Sequence, residues 1–283
     1  MQIIRTIKDM QALSGRIRAG RRTIGLVPTM GALHEGHLSL IRSSKSDNDI
    51  TVATIFVNPA QFGPREDFKQ YPRDIDGDLN KLSSFKTDIV FLPEVNEIYP
   101  DGFSTSVDVG SVGNILCGVS RPGHFNGVAT IVVKLFNSIM PDSAYFGQKD
   151  FQQTVIIKKI VTDLNYNINI VVCPTVREND GLAMSSRNAY LGREERNAAV
   201  ILYKSLLLGK DLMLSDAEDD VLHIKEKIKE CITSEPLASI DYVEIVNVRN
   251  LENVVNITFP VAICIAVKIG KTRLIDNMVI EKK

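Results

Sequence analysis

The sequence predicts an α/β protein, a doubly wound parallel sheet followed by a second, smaller α+β domain. Three observations predict it. Between Thr23 and Cys173, short β-branched apolar runs alternate with amphipathic stretches. Beyond about residue 177 the order changes, and two helical stretches precede a group of strands. The 283 residues, 44% hydrophobic and 24% charged, suit one or two packed cores and exclude a mostly disordered chain.

The elements follow in order. Thr23–Pro28 (TIGLVP) reads as a buried strand, and His37–Ser46 as a helix with Leu38, Leu40 and Ile41 on its apolar side. Thr51–Val57 is a second strand, Asp74–Phe85 a helix carrying Ile75, Leu79 and Leu82, and Asp88–Leu92 a third strand. Val128–Met140 reads as a helix, Ala144–Phe146 as a short strand, Phe151–Leu164 as a helix and Ile168–Cys173 as a strand. Strands that are apolar on both faces and separated by helices indicate a parallel sheet covered on both sides, with ligands at the carboxyl ends of its strands. After the polar stretch Arg177–Arg187, helices are expected over Arg193–Met213 and Ala217–Ile232. Strands are expected over Tyr242–Val248, Ala262–Ile269 and Arg273–Asp276. The expected domains are 1–176 and 177–283, the second a small lid.

Charge and cysteine usage narrow the function. Lys and Arg number 33 against 34 Asp and Glu, a net charge of -1, which argues against a broad electrostatic grip on nucleic acid or an acidic membrane. Cys117, Cys173, Cys231 and Cys264 include no CxxC pair and mostly lie in apolar runs, so they read as small buried hydrophobes of a reducing compartment. Met1–Gly20 carries charges throughout and lacks the apolar core of a secretory signal. No stretch approaches the roughly 20 uncharged apolar residues of a membrane span. A soluble, cytoplasmic protein is expected.

The first segment that carries chemistry is Pro28-Thr-Met-Gly-Ala-Leu-His-Glu-Gly-His37, where the first strand gives way to the first helix. A doubly wound fold places phosphate there, against a helix N-terminus. Gly31 and Gly36 permit close backbone approach, and His34 and His37, three apart, fall on one helical face. Two imidazoles beside free amide donors suit an anionic group; a simple capping pair is the alternative. Neither GxGxxG nor GxxxxGK[ST] occurs, and the histidine spacing is not that of HExxH.

Asn58 and Gln61 follow the second strand, where neutral amides either meet a small hydroxylated acid or cap the sheet edge. Lys149 and Asp150 begin a helix at a strand's end, putting a cation and a helix dipole together; Asp150 also suits an N-cap. Ser185, Ser186 and Arg187 offer two hydroxyls and a guanidinium in a flexible loop, suited to pyrophosphate or simply a solvated linker. Asp76 and Asp78 belong to an acidic run that is a solvated helix face or, less well, a metal site. His124, in Arg121-Pro-Gly-His124, reads as part of a helix cap.

Taken together, PTMGALHEGH, Phe56–Phe62 (FVNPAQF), Tyr71-Pro-Arg73, Arg121–Gly127 (RPGHFNG), Phe146–Gln153 (FGQKDFQQ) and Met184–Asn188 (MSSRN) resemble the pantoate–β-alanine ligases. These form a branch of the HxGH nucleotidylyltransferase superfamily that also holds class I aminoacyl-tRNA ligases. The resemblance extends weakly to Leu274-Ile-Asp-Asn277. It implies a Rossmann-like domain and an AMP-forming ligase that joins pantoate to β-alanine through a pantoyl adenylate, with Mg²⁺ accompanying ATP. It further implies that ATP is bound by Met30, Gly31, Ala32, Leu33, His34, Glu35, Gly36, His37, Gly147, Gln148, Lys149, Asp150, Val176, Met184, Ser185, Ser186 and Arg187. His34, His37 and Lys149 are the implied catalytic groups, with His37 the proton donor. Pantoate is implied at Gln61 and Gln153, with Asn58 beside them, and the assembly is implied to be a homodimer. Gln148 stands where the family usually has Glu.

Overall fold

A computed structural model describes residues 1–64, 66–215 and 220–282. The chain divides into two compact units, residues 1–147 with 156–174, and residues 148–155 with 175 onward. The segment Gln148–Val155 is thus grouped with the later part of the chain.

The first unit begins with β1 (Gln2–Ile4), α1 (Ile7–Ala19), β2 (Ile24–Thr29), α2 (Glu35–Asp47), β3 (Ile50–Ile55), α3 (Ile75–Ser84) and β4 (Ile89–Phe91). The one-turn helices α4 (Val95–Ile98) and α5 (Cys117–Ser120) come next, then α6 (His124–Ile139), β5 (Ser143–Gly147), the part of α7 (Phe151–Asp163) from Ile156 onward, and β6 (Asn169–Cys173). All pairings are parallel and the strand order is β1-β4-β3-β2-β5-β6, so the winding reverses between β2 and β5. Successive residues serve opposite faces. Ile24, Leu26, Val52, Phe91 and Phe146 enter one core cluster, while Val27, Ala53, Val90 and Tyr145 enter another. This two-sided burial explains the continuous apolar runs. Tyr145 is wholly buried, and its hydroxyl donates to Asp47 at 2.9 Å and accepts from Asn48 at 2.7 Å. Burial, reinforced by Asp47, pushes that hydroxyl up to about 12.

Sequence periodicity passes over β1 and α1. Helix α1 is capped by Thr6, whose Oγ1 accepts from Asp9 N at 3.1 Å, and it buries only Met10, Ser14 and Ile17. So narrow a stripe is diluted by the surrounding charges Lys8, Asp9, Arg16 and Arg18. Helix α6 starts ahead of the expected Val128, directly after Gly123, which takes a left-handed conformation.

The second unit contains α8 (Arg193–Ala198), α9 (Ile201–Leu214), α10 (Val221–Thr233), β7 (Ala238–Asn247), β8 (Val261–Ile269) and β9 (Thr272–Ile280). The three strands form an antiparallel sheet in the order β7-β8-β9. Leu202, Leu206, Ile224, Ile228, Val243 and Ile263 belong to its core. The stretch expected as one helix over Arg193–Met213 is two, because Val200 N bonds back only three residues, to Asn197 O, and tightens the chain at the junction. The helix expected over Ala217–Ile232 starts, by sequence, at a residue outside the described ones; α10 begins after Asp220, whose carboxylate accepts from Leu222 N at 2.8 Å. Strand β9 runs longer than expected because its polar pair Asp276 and Asn277 is buried rather than terminal. Among the described residues no disulfide joins the four cysteines, and no helix is long and apolar enough to cross a membrane.

Candidate active site

In the first unit the histidine loop is built by how β2 ends. Pro28 has no amide to donate, and Thr29 Oγ1 donates to Thr54 O at 2.6 Å while accepting from Gly31 N at 3.2 Å. Gly31 (φ +80°) and Ala32 (φ +50°) then turn the chain through the left-handed region. A Cβ on Gly31 would lie 2.9 Å from an Asp78 carboxylate oxygen, so glycine is required there.

Asp78, reaching in from α3, is only 1% exposed. Its two oxygens accept from Ala32 N and Leu33 N, each at 2.7 Å. Lys81 supports the arrangement, donating to Leu33 O at 2.8 Å and lying 3.9 Å from Asp78. These two amides are therefore not available to an anion, contrary to the expectation of free donors. The acidic run divides: Asp78 is a buried clamp and Asp76 is exposed.

His34 is the N-cap residue of α2, and its ring stacks on that of His37 at a centroid separation of 4.1 Å. His34 N donates to His37 Nδ1 at 3.3 Å. With Nδ1 an acceptor, a neutral His37 carries its proton on Nε2, which makes that atom a directed donor. Glu35 pairs with Arg42 on the outside of the helix.

The carboxamides after β3 form a closed hub. Asn58 is 1% exposed. Its Nδ2 donates to Gln61 Oε1 and to Gly127 O, both at 3.1 Å, and its Oδ1 accepts from Tyr99 Oη at 2.7 Å and from Ala60 N at 3.3 Å. Both amide protons and both oxygen lone pairs are thus used within the protein. Asn58 thereby holds the Gln61 side chain in place. Gln61 Nε2 faces Met30 Sδ at 2.8 Å. Burial drives the Tyr99 hydroxyl up to about 12, so it remains a proton donor at neutral pH.

The backbone of this loop is held equally firmly. His124 Nδ1 donates to Gln61 O at 2.8 Å, and Arg121 donates to the same carbonyl at 3.2 Å while forking onto Glu66 at 2.8 and 2.6 Å. Burial opposes the Glu66 charge, but the hydrogen bonds and charge of Arg121 outweigh it and hold that carboxyl below the usual range. Gly127 lets α6 approach, since a Cβ there would lie 2.1 Å from Ala60 O. The RPGH segment signals this anchor in the sequence, whereas nothing near Tyr99 does.

In the second unit Gln148–Asp150 forms a single 3₁₀ turn leading into α7. Lys149 Nζ is 3.7 Å from the Asp150 carboxylate, Gln148 is half-buried, and so is Gln153 on the first turn of α7. Residues 176–184 form a small hairpin, in which Met184 N donates to Val176 O at 3.0 Å and Glu178 N to Leu182 O at 2.8 Å. Gly181, at φ +96°, sits against the Tyr203 ring with no room for a Cβ. Ser185 Oγ accepts from Arg187 N at 3.2 Å and caps a 3₁₀ turn over Ser186–Tyr190. The segment read from sequence as flexible is thus shaped by its own hydrogen bonds.

A parallel α/β sheet whose switch-point strand ends in stacked HxGH histidines defines an HxGH-type nucleotide-dependent enzyme. Comparison with known proteins narrows the class. A family profile described as pantoate–β-alanine ligase matches residues 2–279. A pantothenate synthetase of Acetivibrio thermocellus is 55% identical over 281 residues, covering 99% of this chain and 100% of that one. The pantothenate synthetase crystal structure from Thermus thermophilus superposes with a TM-score of 0.93 at 39% identity, covering 98% of this chain and 99% of that one. A Francisella tularensis pantoate–β-alanine ligase, solved with β-γ ATP and β-alanine, superposes with a TM-score of 0.80 at 37% identity, covering 99% and 97%. The chain belongs to the pantoate–β-alanine ligase family.

Proposed function

We propose that this chain condenses pantoate with β-alanine at the expense of ATP. In the first step the pantoate carboxylate attacks the α-phosphorus of ATP, forming pantoyl adenylate and expelling pyrophosphate. In the second, the β-alanine amine attacks the acyl carbon, the acyl–phosphate bond breaks, and pantothenate, AMP and a proton leave. A carboxylate with an ordinary pKa of about 4 is ionised at neutral pH, so the first step needs no general base. Its difficulty is bringing two anions together and stabilising the charge that develops, which calls for positioning and directed donors.

The observation that carries this reading is the stacked histidine pair, with His37 Nδ1 occupied by the His34 amide and Nε2 as the donor. We assign His34, His37, Lys149, Ser185, Ser186 and Arg187 to the triphosphate, and Met30, Gly31, Gly147, Gln148, Asp150, Val176 and Met184 to the rest of ATP. The loop residues Ala32, Leu33, Glu35 and Gly36 shape the histidine segment. Gln61 and Gln153 serve pantoate, with Asn58 acting through Gln61. Mg²⁺ accompanying ATP would neutralise its phosphates. By family resemblance the chain works as a cytoplasmic homodimer.

Incubation with ATP, Mg²⁺, pantoate and β-alanine should yield AMP, pyrophosphate and pantothenate in equal amounts. A product that retains AMP would instead mark an adenylyltransferase. Replacing His37 or Lys149 by Ala should slow pantoate-dependent exchange of pyrophosphate into ATP by about 10²–10³-fold, the usual cost of a lost donor to developing charge. Near-normal exchange in both variants would overturn the assignment.

A further inference from the structure

The weakest stretch of the family resemblance, Leu274–Asn277, contains two buried polar residues whose partners give them a role. Asn277 is 3% exposed. Its Nδ2 donates to Gln148 O and to Lys149 O, both at 2.9 Å, from 129 and 128 residues away. The neighbouring Asp276, also 3% exposed, accepts a fork from Arg177 at 2.6 and 3.0 Å and takes the Asn277 backbone amide at 2.8 Å. Arg177 in turn lies over the Tyr203 ring at 4.3 Å. Asn277 is therefore held on a rigid mount, with its two amide protons spent on the turn that carries Lys149. No donor among the described residues reaches Asn277 Oδ1. A buried amide with one end unsatisfied is an expensive residue to keep for packing alone.

We infer that Asn277 is a positioning residue for Lys149, fixing the backbone turn from which the lysine reaches the nucleotide phosphates. The inference rests on the reading of Lys149 given above. Asn277→Ala removes both donors and leaves the carbonyls of a half-exposed turn to water, so the sheet behind it is spared.

The test is a double-mutant cycle read by titration calorimetry, with ATP and pantoate titrated separately. Asn277→Ala should weaken ATP binding about tenfold, the scale of two neutral hydrogen bonds, and leave pantoate binding within about twofold. In a Lys149→Ala background the same change should cost clearly less, since only Gln148 and Asp150 of that turn are left to displace. An equal loss in both backgrounds, a matching loss for pantoate, or no loss at all would overturn the inference. If Asn277→Ala does not fold, Asn277→Ser, which keeps one donor, should show a smaller loss with the same dependence on Lys149, and independence of Lys149 would again overturn it. Lys149→Ala binding ATP as tightly as the unmodified chain would instead sink the reading of Lys149 itself.

Discussion

The histidine loop and the lysine turn both follow the carboxyl end of a parallel strand, β2 and β5, yet they are held by opposite chemistry. A buried carboxylate, Asp78, accepts two amides of the histidine loop. A neutral amide, Asn277, donates to two carbonyls of the lysine turn. Hydrogen bonds to a buried charge contribute about 1.5–3 kcal/mol each, against roughly 1 for neutral pairs. The first segment is accordingly built to resist change, and the second is held by bonds that water can replace at modest cost.

The largest effect expected from this contrast is at Asp78. Asp78→Asn turns one acceptor into a donor facing a backbone amide and should lower stability by about 3 kcal/mol in urea unfolding. It should also slow pyrophosphate exchange by about a hundredfold through the displaced histidines. Wild-type behaviour would erase the distinction between the two segments. Gly127→Ala comes next. It forces a methyl against Ala60 O and should raise the pantoate KM about tenfold while leaving the ATP KM within about twofold, since a shift of about 1 Å in a positioned group is costly. A selective effect on ATP would show that this loop serves the nucleotide. The smallest effect is expected from Tyr99→Phe, which removes one of the four hydrogen bonds to Asn58 and keeps the ring. The pantoate KM should rise about threefold; a rise as large as that expected for Gly127→Ala would make Tyr99 the main support of Asn58 rather than one of four.

What was legible in the sequence follows the range of the interactions. His34 with His37, and Asn58 with Gln61, are three residues apart, so spacing alone places them together, and both pairs are in contact. The parallel strands other than β1 were legible because burial on both faces leaves continuous apolar runs. Clamps that close over long separations left no such mark. The bond from Asp78 to Leu33 spans 45 residues, that from Tyr99 to Asn58 spans 41, and that from Asn277 to Lys149 spans 128. In the sequence Asp78 looks like a solvated helix face, and Asp276 with Asn277 looks like the end of a strand. Only the fold reveals that each polar group is buried with its partners. Asn58 is the converse case: its residue type suits a hydroxy acid, while the fold gives its amide protons and oxygen lone pairs partners within the protein.

Loops that seize phosphate through backbone amides stand open to any small anion in the medium. In this chain a tethered carboxylate keeps two such amides in permanent occupation. A free phosphate or sulfate therefore meets no open donor at those two amides.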